Sequence, residues 1–251
     1  MPSSFLGENR LSQAFLRATL WMPDAISLLA KVEFEEYRRF NAGKRLDIVP
    51  NAIRLEDYAH VQAKQFDRKE LILGYIGRLA DDKGVKETIQ AIATLRRGGA
   101  ESFRLRIAGS GPYEDSLRQF VDALGLGDIV EFLGPIFGED KMRFWRGIDI
   151  FVFPTFHREG LPYTILEALA SGTPTLSTRV GGIPDVIQDG VQGVLLGDHF
   201  PLSVARAIEA MLSDRQRLRD MSVAAMQRAN DHYGVERLAS QFDRIYRELL
   251  A

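Results

Sequence analysis

The chain reads as an α/β protein: a doubly wound parallel sheet of Rossmann-like type, preceded by a partial first α/β unit. Three observations predict this. From about residue 71, short apolar runs alternate with amphipathic segments, as in parallel βαβ units with right-handed crossovers. The runs end in the turns Gly77–Gly84, Gly109–Pro112, Gly134–Gly138, Pro154–Pro162 and Thr178–Pro184. Most of these carry glycines or charged groups, and ligands of such sheets bind beyond the carboxyl ends of the strands.

Taken in order, LILGYIG (71–77), FRLRIAG (103–109), IVEFLG (129–134), IDIFVFP (148–154), TPTLST (173–178) and GVLLG (193–197) read as strands. Their apolar runs suit strands buried on both faces. Helices are expected over 85–97, with Ile89, Ile92 and Leu95 on one side, and over 113–124, 139–146 and 163–171. Three more are expected at about 201–212, 214–231 and 235–250. Ahead of them, 10–20 reads as a helix with Leu11, Phe15 and Ala18 on one face, 25–30 as a strand, 32–40 as a helix and 47–53 as a strand. So few elements cannot easily bury a core alone. The expected division is a partial unit over 1–53, a linker over 54–69, the main unit over 70–234, and a C-terminal helix over 235–251 crossing back to the first unit.

Composition narrows the classes. The chain has 251 residues, 45% hydrophobic and 26% charged, with net charge −2. That is an ordinary globular balance and carries no general nucleic-acid footprint. With no cysteine there is no disulfide or thiolate metal site. The four histidines (His60, His157, His199 and His232) show no metal-ligand spacing. Neither a signal peptide nor a membrane-spanning run is evident, so a cytoplasmic location is expected. The helix at 10–20, followed by Trp21 and Met22, reads as core-packing in preference to a peripheral contact at a membrane surface.

The stretch REGLPYTILEALASGTPTLSTRVGG (158–182) is the most informative. Glu159 and Glu167 stand eight residues apart, and a Gly-Leu-Pro loop turns into a helix between them. Pro162 suits the first helical turn, where its missing N–H is no loss. The free N–H groups of that turn attract phosphate. Glu167 is flanked by Leu166 and Ala168, so an unpaired charge there is costly and a partner is required. In GRLADDKG (77–84), Arg78 and Lys83 follow a strand and can neutralise a diphosphate without a metal. Asp81 and Asp82 read as a turn capping the next helix. GSGP (109–112) lacks the third glycine of a dinucleotide fingerprint. Its Gly109 and Gly111 read as a tight turn that lets a nucleotide approach the backbone. Asp149 reads as a structural cap, and GGIP (181–184) as a turn opening a helix at Pro184.

Together PNAIRLEDY (50–58), GYIGRLADDKG (74–84), IAGSGPYEDSL (107–117), VEFLGPI (130–136) and EGLPYTILEALASGTPTLSTRVGGIPDVI (159–187) resemble the retaining glycosyltransferases of the GT-B type, family 4. The resemblance covers roughly residues 24–250. It implies a fold with a Rossmann-like donor domain and a first domain that is here largely missing. It implies transfer of a hexose from a nucleoside-diphosphate sugar to a hydroxyl of a glycan, a lipid-linked sugar or a small acceptor, with retention and with no metal or other cofactor. By resemblance Glu159 lies at the donor sugar and Glu167 at the ribose. Arg78 and Lys83 stabilise the leaving diphosphate, and Gly160, Leu161, Pro162 and Tyr163 lie at the phosphates, Tyr163 offering the better N–H. Ile136 either meets the base through its backbone or lies in a plain turn. His157 and Arg158 are candidates for a sugar or acceptor contact. The alternative is a nucleotide-sugar-binding subunit that needs a separate acceptor-domain partner or a homo-oligomer.

Overall fold

The computed structural model describes residues 10–39, 43–100 and 103–251. The first unit comprises α1 (Arg10–Trp21), β1 (Ala25–Leu28), α2 (Lys31–Tyr37) and β2 (Arg45–Ile48). β1 and β2 form a separate parallel pair, Ala25 opposite Arg45. The main sheet follows, with β3 (Leu71–Ile76), β4 (Phe103–Ala108), β5 (Val130–Gly134), β6 (Ile150–Phe153), β7 (Thr175–Thr178) and β8 (Gly193–Leu196). Its helices are α3 (Val85–Arg97), α4 (Glu114–Ala123), α5 (Gly138–Gly147), α6 (Tyr163–Ala170), α7 (Ile183–Val186), α8 (Pro201–Ser213), α9 (Arg215–His232) and α10 (Val235–Leu250).

The six strands are parallel, in the order β5-β4-β3-β6-β7-β8. The chain winds outward from β3 to β5, then crosses over to β6 and winds the other way. The direction therefore switches between β3 and β6, the place where sheets of this kind open a crevice beyond the strand ends. All six residues of β3 and all four of β6 are buried. Trp145, Tyr75, Phe103 and Phe151 are among the largest fully buried side chains, and Trp145 meets Phe144 and Phe151 edge-on. α6 buries every residue from Ile165 to Ala170, Glu167 included.

The first unit departs from expectation at its boundaries. β1 ends at Leu28 because the Glu33 carboxylate takes the Leu29 N–H at 2.7 Å, starting α2 earlier. β2 begins at Arg45 and stops before Pro50, which has no N–H for a ladder. The expected end of α2 at Phe40 and the side chain of Leu11 lie outside the described residues. On α1, Phe15 is 76% exposed and Ala18 is exposed, so neither packs into a core; Leu20 does. No helix among the described residues is long and apolar enough to cross a membrane. α10 returns to this unit, where Arg45 pairs with Glu248 at 2.7 Å.

Residues 54–69 are not a free connector. Tyr58 and Phe66 are buried. The Lys64 N–H donates to Ser222 Oγ at 2.9 Å, and its ammonium to the Trp145 carbonyl at the end of α5 at 2.7 Å. A cation suits a helix C-terminus. Desolvation nevertheless pushes Lys64 down from its ordinary 10.5 to about 8, against the pull of Asp149. Asp149 itself accepts the Ile72 N–H at 2.7 Å, the structural role expected of it.

Between pH 8 and 10.5 the unfolded chain holds a proton that the folded Lys64 has released, so stability rises with pH across this window. Lys64→Met is expected to flatten that rise, read from urea midpoints at the two ends of the window. An unchanged pH slope would contradict a desolvated ammonium.

Candidate active site

Lys83 and Glu159 meet in the crevice beyond β3 and β6. Lys83 Nζ lies 2.6 Å from Glu159 Oε1, with the side chains 14% and 17% exposed. Backbone packing explains the meeting. Gly84 has φ +76°, and a Cβ there would fall 2.3 Å from the Pro154 carbonyl oxygen. Only glycine lets the loop after β3 sit so closely on the loop after β6. The Asp82 carbonyl then accepts from Phe156 N (3.1 Å), His157 N (2.9 Å) and Thr155 Oγ1 (3.2 Å). Its carboxylate meets the His157 ring. Asp81 and Asp82 thus do not cap α3. They lie in a short 3-10 turn (Asp81–Lys83), and the residue before α3 is Gly84 without a side-chain cap.

Glu159 is also held from its other side. A Cβ on Gly181, at φ +56°, would fall 1.7 Å from the Glu159 carbonyl oxygen; one on Gly182 would fall 2.1 Å from that of Gly160. Gly182 N donates to both carbonyls, at 3.2 and 3.0 Å. The GGIP turn therefore underlies the Glu159 loop, and its helix begins at Ile183, one residue before Pro184.

Arg78 stands on the same β3 loop, exposed and, among the described residues, in no ion pair. Tyr75 anchors it by donating to the Arg78 carbonyl at 3.0 Å. Burial pushes the Tyr75 phenol up, and the nearby charges of Glu159 and Asp82 add to this. Gly109 and Gly111 pack on this loop. A Cβ on Gly109 would fall 1.9 Å from the Gly77 oxygen, and one on Gly111 would fall 2.3 Å from that of Leu79. The protein's own backbone thus accounts for both glycines. Gly109 N donates to Gly134 O at 2.8 Å, which brings the half-buried Ile136 loop alongside.

At the start of α6, Pro162 takes the N-cap position (φ −66°, ψ 127°) and not the first turn, and Leu161 is buried. Tyr163 opens the helix, 54% exposed, where first-turn N–H groups lack intrahelical acceptors. One turn on, Glu167 has internal partners. Its Oε1 lies 2.5 Å from Lys141 Nζ and its Oε2 3.3 Å from Trp145 Nε1. Glu159 and Glu167 therefore face different cations, from different elements. Lys141 and Trp145 escaped the sequence reading, although their four-residue spacing on α5 puts them on one face. Around the other side, α2 closes a cleft of about 940 Å³ lined by Val32, Glu36, Arg39, His157, Arg158 and Arg179, among others. Among the described residues no three His, Asp or Glu side chains converge to hold a metal ion.

Residues 58–228 match the family "Glycosyl transferases group 1". The chain belongs to this family. Among relatives of this chain, the D-inositol 3-phosphate glycosyltransferase of Paenarthrobacter aurescens is 30% identical over 220 residues, 82% of this chain and 52% of that protein. That of Nocardia farcinica is 32% identical over 199 residues, 74% of this chain and 44% of that protein. The chain thus spans about half the length of the curated relatives it matches. Among solved structures, sucrose-phosphate synthase from Thermosynechococcus elongatus superposes with a TM-score of 0.83 at 22% identity, covering 100% of this chain and 64% of that one. Anabaena HepE in complex with UDP superposes at 0.84 and 18% identity, covering 97% and 70%. At these identities the likeness establishes the α/β fold shared with glycosyltransferases of the GT-B type.

Gly181→Ala sets a Cβ against the Glu159 backbone in a left-handed conformation. A loss of about 1–3 kcal/mol in folding stability is expected, measured by urea denaturation. A change near zero would mean that the two loops are not in contact.

Proposed function

We propose that the crevice between β3 and β6 binds a nucleoside-diphosphate sugar and transfers its hexose, with retention, to a hydroxyl of a glycan, a lipid-linked sugar or a small polyol. The observation that carries this reading is the Lys83–Glu159 contact, with Arg78 on the same loop, at the switch point of a group-1 glycosyltransferase. Two cations and the N–H groups opening α6 make a diphosphate site that needs no metal. Arg78 and Lys83 neutralise the charge that develops as the nucleoside diphosphate departs. Glu159 shares Lys83 with it, orients the donor sugar and stabilises positive charge at the anomeric carbon. Glu167 takes the ribose hydroxyls, held in place by Lys141 and Trp145. Gly109, Gly111 and Ile136 border the nucleoside. With no side chain assigned as a covalent nucleophile, the acceptor hydroxyl attacks on the face the diphosphate leaves, and its proton passes to the departing diphosphate oxygen. The donor-binding unit is 70–234.

A polyol acceptor is supported by the D-inositol 3-phosphate glycosyltransferases among the relatives.

Arg78→Ala and Lys83→Ala are each expected to slow release of nucleoside diphosphate about 10²-fold or more. Wild-type rates from both variants would remove the assignment. NMR of the product anomer checks retention.

A further inference from the structure

We propose that Glu36 is a positioning residue: through Arg158 it holds the loop that presents Glu159, so the first unit sets the geometry of the donor site. The inference rests on the glycosyl-transfer reading above. Glu36 belongs to α2, outside the main sheet. Its Oε1 accepts from Arg158 Nη1 at 3.2 Å, and its Oε2 accepts from Nη2. The side chains are 20% and 13% exposed. A two-point, partly buried pair of this kind fixes orientation as well as distance.

The same unit grips the residues on either side of Glu159. Asn51 Nδ2 donates to the Leu161 carbonyl at 2.8 Å. A Cβ on Gly160 would meet Leu29 Cδ1 at 3.1 Å and Glu33 Oε1 at 3.2 Å. One on Gly182, beneath the loop, would lie 2.7 Å from the Ala30 Cβ. Lys31 N donates to Asp185 Oδ2 at 2.6 Å. Residues 158, 160 and 161 are thus tied to the first unit, while Glu159 between them turns to Lys83. The loop is strung between α2 and the loop after β3. Glu167 is independent of this arrangement, because its partners Lys141 and Trp145 come from α5. A displacement of about 1 Å at a reacting group can cost about 10²-fold in rate.

The test compares wild type, Glu36→Gln and Glu35→Gln. Glu35 lies one residue away, exposed and paired with Arg38. Three quantities are measured: amide exchange over 156–163, kcat for transfer, and calorimetric affinity for the nucleoside diphosphate. Glu36→Gln is expected to speed exchange over 156–163 about tenfold or more, with the β3 amides unchanged. kcat should fall by a similar factor and by more than the diphosphate affinity, part of which Arg78 and Lys83 supply from the loop after β3. Glu35→Gln should change none of the three. Unchanged exchange in Glu36→Gln would overturn the proposal. So would a parallel fall of kcat, affinity and β3 protection, or an equal effect from Glu35→Gln. If wild type transfers no sugar, the glycosyl-transfer reading fails, and the exchange comparison still decides whether Glu36 holds the loop.

Discussion

The contact between the loops after β3 and β6 is the constraint on which the site depends. Gly84 against the Pro154 carbonyl brings the loops together, and the Asp82 carbonyl, with three donors, locks them. Lys83 can then reach Glu159. A lysine and a glutamate so little exposed lose solvation that they recover only by pairing with each other or with a ligand. In the pair, each neutralises the other. In the proposed complex a bound diphosphate would draw on Lys83 in its turn. The glycines at 109, 111, 181 and 182 serve the same end, letting four loops close over one crevice with backbone against backbone.

Much of this was legible in the sequence. Parallel strands buried on both faces give unbroken apolar runs, so β3 and β6 could be read directly. Helices α3 and α10 begin and end where their periodicity says. Lys83 and Glu159 meet because their loops follow strands that prove to be neighbours, and Arg78 stands on the same loop as Lys83. What could not be read was contact. Asp82 looks like a cap, yet its carbonyl is the organising acceptor. Lys141 and Trp145 look like an ordinary charged residue and an ordinary core residue until α5 lies against α6. Glycine at 109 and 111 signals close approach, but not whether backbone or ligand does the approaching.

The first unit was the least legible, for a physical reason. Its strands are short and half-buried, so their boundaries follow individual hydrogen bonds, such as Glu33 to the Leu29 N–H, and not a hydrophobic period. The segment joining it to the main sheet is polar enough to read as a linker. Yet Lys64 and Phe66 bind it along the main unit, and α10 returns to pair with Arg45. The two units are therefore joined at several points, including the loop that carries Glu159.

The central claim is that protein cations, and not a metal, hold a nucleoside diphosphate between β3 and β6. It is tested most directly by calorimetric titration of wild type and Lys83→Ala with UDP, GDP and ADP, first in EDTA and then with Mg²⁺. The account predicts that one of the three binds wild type with the same affinity in both conditions, and that Lys83→Ala weakens this binding. Binding that appears only with Mg²⁺, or that survives loss of Lys83 undiminished, would contradict it.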